Sequence, residues 1–224
     1  FITGDVDPEQ ILTWVQQNQA KKDFSNLTPG KSLFKLTSPV PEKTVHIPME
    51  VSRPKVGIGI RGNDELKPGR QELKYEIAIS IVMDLFFSEN AAVYAKLFDH
   101  EIIDDSFSWE FESERGFHFG ILSCDTNYPE QFIQEIRRVL TEIPRQLNSM
   151  EADFELQKNE LLGNYIEMMD SEEAISGEFD SFGNGPETIY DEVEIVKQLQ
   201  LSDIISCAVQ FLGKASFQQV IIRP

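Results

Sequence analysis

The sequence predicts an α+β fold, a two-layer sandwich with a largely antiparallel sheet and helices packed on one face. Three observations carry this. Phe107, Trp109 and Phe111 alternate with Ser108, Glu110 and Glu112, the period-two pattern of a half-buried strand. Leu73, Ile77, Ile81 and Leu85 recur every four residues, as on a helix with a wide apolar face. Strands arrive in pairs, with helices between the pairs.

In chain order, Asp7-Pro8-Glu9-Gln10 opens a first helix. Asp7 caps it, Pro8 suits a first helical position that needs no N–H, and Gln10 closes a capping box. Phe1-Ile2-Thr3 reads as the end of a strand that begins upstream. The stretch up to residue 43 is rich in Ser, Thr and Pro, with Thr28-Pro29-Gly30 and Pro39-Val40-Pro41 as breakers. The predicted organisation is therefore a tail at 1–24 from a preceding unit, a linker at 25–43 and a main domain at 44–224. In that domain, Thr44–Glu50 and Lys55–Ile60 are strands, Leu73–Leu85 is a helix, and Asn90 caps another carrying Val93, Leu97 and Phe98. The alternating run from Phe107 turns at Glu114-Arg115-Gly116 into Phe117–Leu122, an antiparallel hairpin. Pro129 opens a helix with Phe132, Ile136, Val139 and Ile143. A longer one carries Phe154, Leu161, Leu162, Tyr165 and Met169, and a third runs through Ile189, Val193 and Val196. Ser202 caps the last, with Gly213 as its C′ residue, and Phe217–Ile222 is the final strand.

Composition narrows the function classes. The 224 residues are 41% apolar and 26% charged, the profile of a soluble globular chain. With 38 acidic and 20 basic residues the net charge is -18, a field that repels phosphate backbones and argues against nucleic-acid partners. No apolar run approaches the roughly 18 residues of a bilayer span, and the N-terminus lacks a signal-peptide layout. The expectation is a cytoplasmic protein with no membrane partner. Cys124 in a strand-like run and Cys207 on an apolar helix read as buried free thiols.

Most chemical-looking motifs have a structural explanation. Gly57-x-Gly59-x-x-Gly62 matches the dinucleotide fingerprint in letters, but that mechanism needs a helix opening at the last glycine. Here Ile58 and Ile60 are strand-like, and Asn63-Asp64-Glu65 with Pro68-Gly69 follow. Glycines in and beside a strand, where backbone passes close, is the better reading. His46 and His118 lie on strands, and His100 pairs with Asp104 across one turn at a helix end, without the second His that a helical zinc site requires. Glu155 and Lys158 pair on the long helix. Glu178–Pro186 mixes acidic, aromatic and glycine residues in a loop that an ordinary turn also explains.

Four stretches, in order, are similar to one family. GDVDPEQ (4–10) resembles a strand-to-helix step that closes a first homologous half. IAISIVMDLFFSENAAVYAKLFDHEIIDDSFSWEF (77–111) is similar to a helix pair leading to a strand. NSMEADFELQKNELLGNYIEMMDSEEAISGEF (148–179) resembles a long helix followed by a broken second one. LQLSDIISCAVQFLGKASFQQVIIRP (199–224) resembles a terminal helix and strand. Together they resemble the C-terminal half of the M16 (insulinase/pitrilysin-like) zinc peptidases. The nearest form is a Gram-positive bacterial branch whose helix-to-strand step has the shape LIDDSF.

The resemblance implies a half of the mitochondrial processing peptidase type, facing a homologous half like a clamshell around a substrate chamber. In the family the zinc motif HxxEH belongs to the first half, and this sequence contains no HxxEH. The implied cofactor is none in this chain, with zinc in an N-terminal half. The implied partners are that half or a second M16 subunit, together with a peptide substrate, and a homodimer is a further form. The second half usually supplies an Arg and a Tyr that hold the substrate carbonyl. The Tyr position falls on Phe107, which has no hydroxyl, and the Arg position falls in 98–103, which has no Arg; Arg115 and Tyr94 map to neither role. No catalytic residue is assigned, and Phe107 and Trp109 are the candidate substrate contacts. The implied function is a C-terminal half of a zinc-dependent peptidase that closes the chamber and is inactive alone. The alternative is a catalytically silent subunit or scaffold working with an active partner chain.

Overall fold

A computed structural model describes residues 2–23, 42–114, 117–178 and 187–224. Five strands, β1 (Lys43–Pro48), β2 (Lys55–Arg61), β3 (Ser108–Glu114), β4 (Phe117–Asp125) and β5 (Ser216–Arg223), form one sheet in the order β1-β5-β2-β4-β3. Every neighbouring pair is antiparallel except β1 with β5. The helices are α1 (Pro8–Gln19), α2 (Arg70–Phe87), α3 (Ala92–Asp99), α4 (Pro129–Gln146), α5 (Glu151–Met169), α6 (Glu172–Glu178), α7 (Ile189–Gln198) and α8 (Leu201–Lys214). This is the α+β sandwich that the sequence predicts.

Side-chain alternation decides which face the helices cover. Val56, Ile58 and Ile60 of β2 point to the same side as Leu122 and Cys124 of β4, and all five are buried. Phe132, Ile136, Val139, Leu140 and Ile143 from α4, with Ile204, Ala208 and Phe211 from α8, complete the core with α2. The opposite face is half-buried or exposed: Gly57 and Gly59, Phe119 and Ile121, Val220 and Ile222. At the β1 end Arg137 of α4 stacks over the Phe217 ring, 5.0 Å from its centroid, and pairs with Glu42. Among the described residues no single helix is long and apolar enough to cross a membrane. α2 and α3 together have the length and apolar composition of a span bent by 41°, but α2 is a core helix.

Several local predictions are corrected. Ile2 and Thr3 form no strand; the Thr3 hydroxyl donates to the backbone carbonyl of Glu172 at 2.9 Å. α3 is entered through Ala91 rather than Asn90. α8 starts earlier and ends later than predicted: Gln200 and Asp203 make its capping box, Ser202 is already helical, and the helix runs past Gly213. His100 and Asp104 do not pair, because the chain leaves the helix between them. Most of the 25–43 linker, the turn at Arg115-Gly116 and the loop at 179–186 lie outside the described residues.

Candidate functional site

The end of α3 sets the geometry beside β3. The Ile102 N–H bonds the Leu97 carbonyl at 3.0 Å and the Glu101 N–H bonds that of Phe98 at 2.9 Å, the paired bonds of a Schellman stop. Glu101 takes the left-handed position, with φ 56°, where glycine is usual. That stop turns the chain back under Asp104 and Ser106 and into β3.

Phe107, immediately before β3, packs its ring against Phe87 (6.2 Å), Tyr94 (5.9 Å) and Phe132 (6.1 Å). Tyr94 also stacks on Phe98 at 5.9 Å. Trp109 lies opposite Leu122, so it shares the helix-covered face and is half-buried against the core. Both candidate contact residues thus sit at the outer margin of the sheet, with part of each ring anchored in packing. Glu110 and Glu112 alternate onto the opposite face and are exposed.

Next to them is a polar hub that local sequence does not reveal. Arg53 pairs with Asp104, and the Ser106 backbone N–H donates to the other Asp104 oxygen at 2.9 Å. Burial pushes Asp104 up, but the Ser106 hydroxyl and N–H and the Arg53 guanidinium outweigh it and leave the carboxyl at about 2. Ser106 Oγ also accepts from the Asp125 N–H at 2.9 Å and lies 3.6 Å from Cys124 Sγ, whose thiol burial pushes up. Arg53, Phe98, Glu101, Asp104 and Tyr128 line a cavity of about 260 Å³. Arg53 thus reaches Asp104 from 51 residues away in sequence.

A second hub is buried. His118 Nε2 lies 2.8 Å from Asp64, and the other Asp64 oxygen accepts from Gln210 at 2.8 Å. Burial raises Asp64, yet His118 outweighs it and holds the carboxyl below its ordinary value. A Cβ on Gly62 would overlap the His118 ring, and one on Gly57 would stand 3.2 Å from Val220 Cγ1. The glycine motif is thus explained by packing: Gly57 and Gly59 belong to β2, and Gly62 admits a histidine.

The three histidines have separate surroundings. His46 is on exposed β1, His100 Nδ1 approaches the Lys96 carbonyl and His118 is spent on Asp64. Among the described residues no three His, Cys, Asp or Glu side chains cluster as metal ligands.

The chain is an α+β domain whose helices back one face of a five-stranded sheet, and its sequence contains no HxxEH. Residues 1–161 match the family described as the peptidase M16 inactive domain, and the chain belongs to that family. An uncharacterized zinc protease of Bacillus subtilis (strain 168), YmfH, is 29% identical over 205 residues, covering 91% of this chain and 47% of that protein. A putative M16-like peptidase from Alicyclobacillus acidocaldarius superposes with a TM-score of 0.78 at 17% identity, over 98% of this chain and 53% of that one. A protease from Helicobacter pylori gives 0.79 at 16% identity, over 99% and 53%. Those two structures share the fold, and the chain spans about half the length of the relatives it matches.

Proposed function

We propose that this chain works as the non-catalytic half of a zinc-dependent peptidase, closing a substrate chamber against a half that carries HxxEH. The observation that carries this reading is the inactive-domain match over residues 1–161 in a sequence without HxxEH. The zinc protease designation of the Bacillus relative, twice as long as the matched region, supports the same pairing. In this reading residues 1–24 are the tail of the preceding half, 25–43 the linker and 44–224 the closing domain, in a bacterial and cytoplasmic protein. Zinc and the water it activates belong to the other half. Here an extended peptide meets the sheet margin at Phe107 and Trp109, which offer apolar surface beside the outer edge of β3.

The test is reconstitution. The chain alone should cleave no peptide and retain no stoichiometric zinc by elemental analysis. Mixed with a separately expressed HxxEH-bearing half of the family, it should restore cleavage of a quenched-fluorescence peptide library. One equivalent of tightly bound zinc in this chain, or no gain in cleavage on mixing, overturns the reading.

A further inference from the structure

β3 is the last strand of the sheet. Among the described residues it pairs only with β4, so one row of its N–H and C=O groups faces outward. Such an edge is a template for another strand. The side chains of β3 determine which strand it admits. Glu110 and Glu112 stand exposed on one face, opposite Ile121 and Phe119 of β4. Neither takes part in an ion pair among the described residues, whereas Asp104, Asp125, Glu130 and Asp191 each hold a cation. Trp109, immediately before Glu110 in sequence, points to the other face, half-buried. An added strand places its side chains alternately on those two faces, each beside its cross-strand neighbour.

We infer that the outer edge of β3 accepts an extended peptide of alternating basic and apolar residues. Its backbone bonds to β3, its cations lie against Glu110 and Glu112, and its apolar side chains lie against Trp109. A second copy of the chain is a poor occupant, because β3 against β3 sets carboxylates beside carboxylates on bodies that each carry -18. The same two glutamates that keep copies apart therefore select a cationic strand. This deepens the peptide-facing reading above and rests on it, adding the chemical class of the peptide.

The experiment uses the 224-residue chain and a fluorescein-labelled peptide of alternating lysine and leucine, followed by fluorescence anisotropy. Binding is expected for this peptide and not for an alternating glutamate and leucine peptide. N-methylating the peptide on the amides facing β3 should abolish it, because the edge bonds are lost. The double variant Glu110→Lys, Glu112→Lys should weaken it about tenfold or more, as two attractive cross-strand pairs become repulsive. Both positions are exposed, and circular dichroism of the variant checks that it folds. No binding, or binding that survives both N-methylation and charge reversal, overturns the inference. The measurement needs no zinc-bearing half. Peptide binding without reconstituted cleavage therefore removes the chamber role alone, and reconstituted cleavage without peptide binding removes the β3 site alone.

Discussion

α2 and α5 are nearly equal in length, 18 and 19 residues, and pack against each other, yet ten residues of α2 are buried and only Phe154 of α5. Both repeat apolar residues at helical spacing. The difference lies in the positions between. In α2 these are Ala78, Ile79, Val82, Met83 and Phe86, so the helix is apolar nearly all round and takes core on several sides. In α5 they are Glu155, Gln157, Asn159 and Glu160. α5 is an outer helix pinned at a few points, and its stability contribution should be concentrated there.

Positions of large effect should be most numerous on α2. Phe86 is 2% exposed, and Phe86→Ala should cost about 3–5 kcal/mol in urea unfolding, as large-to-small changes in a close-packed core do. Ile79→Val, about 0.5–1.5 kcal/mol, provides a milder companion if the first variant fails to fold. A loss below about 1 kcal/mol for Phe86→Ala would erase the contrast between the two helices.

The second effect sits where the helices meet. Burial, and then the charge of Glu160 on α5, push the Asp84 carboxyl of α2 up to about 6. Asp153 of α5 lines the same recess, and no cation in that lining faces Asp84. The folded-state value exceeds the ordinary 3.8, so the folded state binds this proton more tightly than the unfolded state. The stabilisation is full below about 4 and is lost as pH rises through about 6. Asp84→Asn removes the charge and should stabilise the chain by up to about 3 kcal/mol at pH 7.5 and by less at pH 5. Equal gains at both pH values would show that this carboxyl does not titrate between them.

A smaller effect tests one of α5's pins. Lys158 Nζ donates to the Leu199 carbonyl at 2.8 Å and lies 5.7 Å from the Phe154 ring centre, while its Glu155 partner stands off at 4.0 Å. The sequence predicts the Glu155 pair, but the carbonyl is the closer partner. Lys158→Met keeps the apolar stem and should cost about 1–2 kcal/mol. Glu155→Gln should cost almost nothing, since exposed pairs contribute little.

The same physics explains what was legible. Period two gave β3 and β4 and period four gave α2, because periodicity reports a face, and a face is what the core selects. α8 does not begin at a Ser202 cap or stop at Gly213, because Gln200 and Asp203 cap it together and its last turn accepts Gly213 without a left-handed residue. Arg53 with Asp104 and His118 with Asp64 join residues 51 and 54 positions apart, and no local spacing records such a meeting. The absence of HxxEH, by contrast, is a local fact and could be read directly.

The smallest effect is the sharpest test of α5 as an outer helix. Leu156 is 69% exposed and Ile166 61%, so truncating either removes little surface from contact. Leu156→Ala should change unfolding free energy by no more than about 0.5 kcal/mol, since helix propensity slightly favours Ala and almost no burial is lost. Phe154→Ala, two residues away and fully buried, should cost about 3–5 kcal/mol. Measured together in urea, the two variants share one helix, one backbone and nearly one position, and differ only in which way the side chain points. A loss above about 1 kcal/mol at Leu156 would mean that α5 packs on a second side in solution. It would then belong with α2 rather than opposite it.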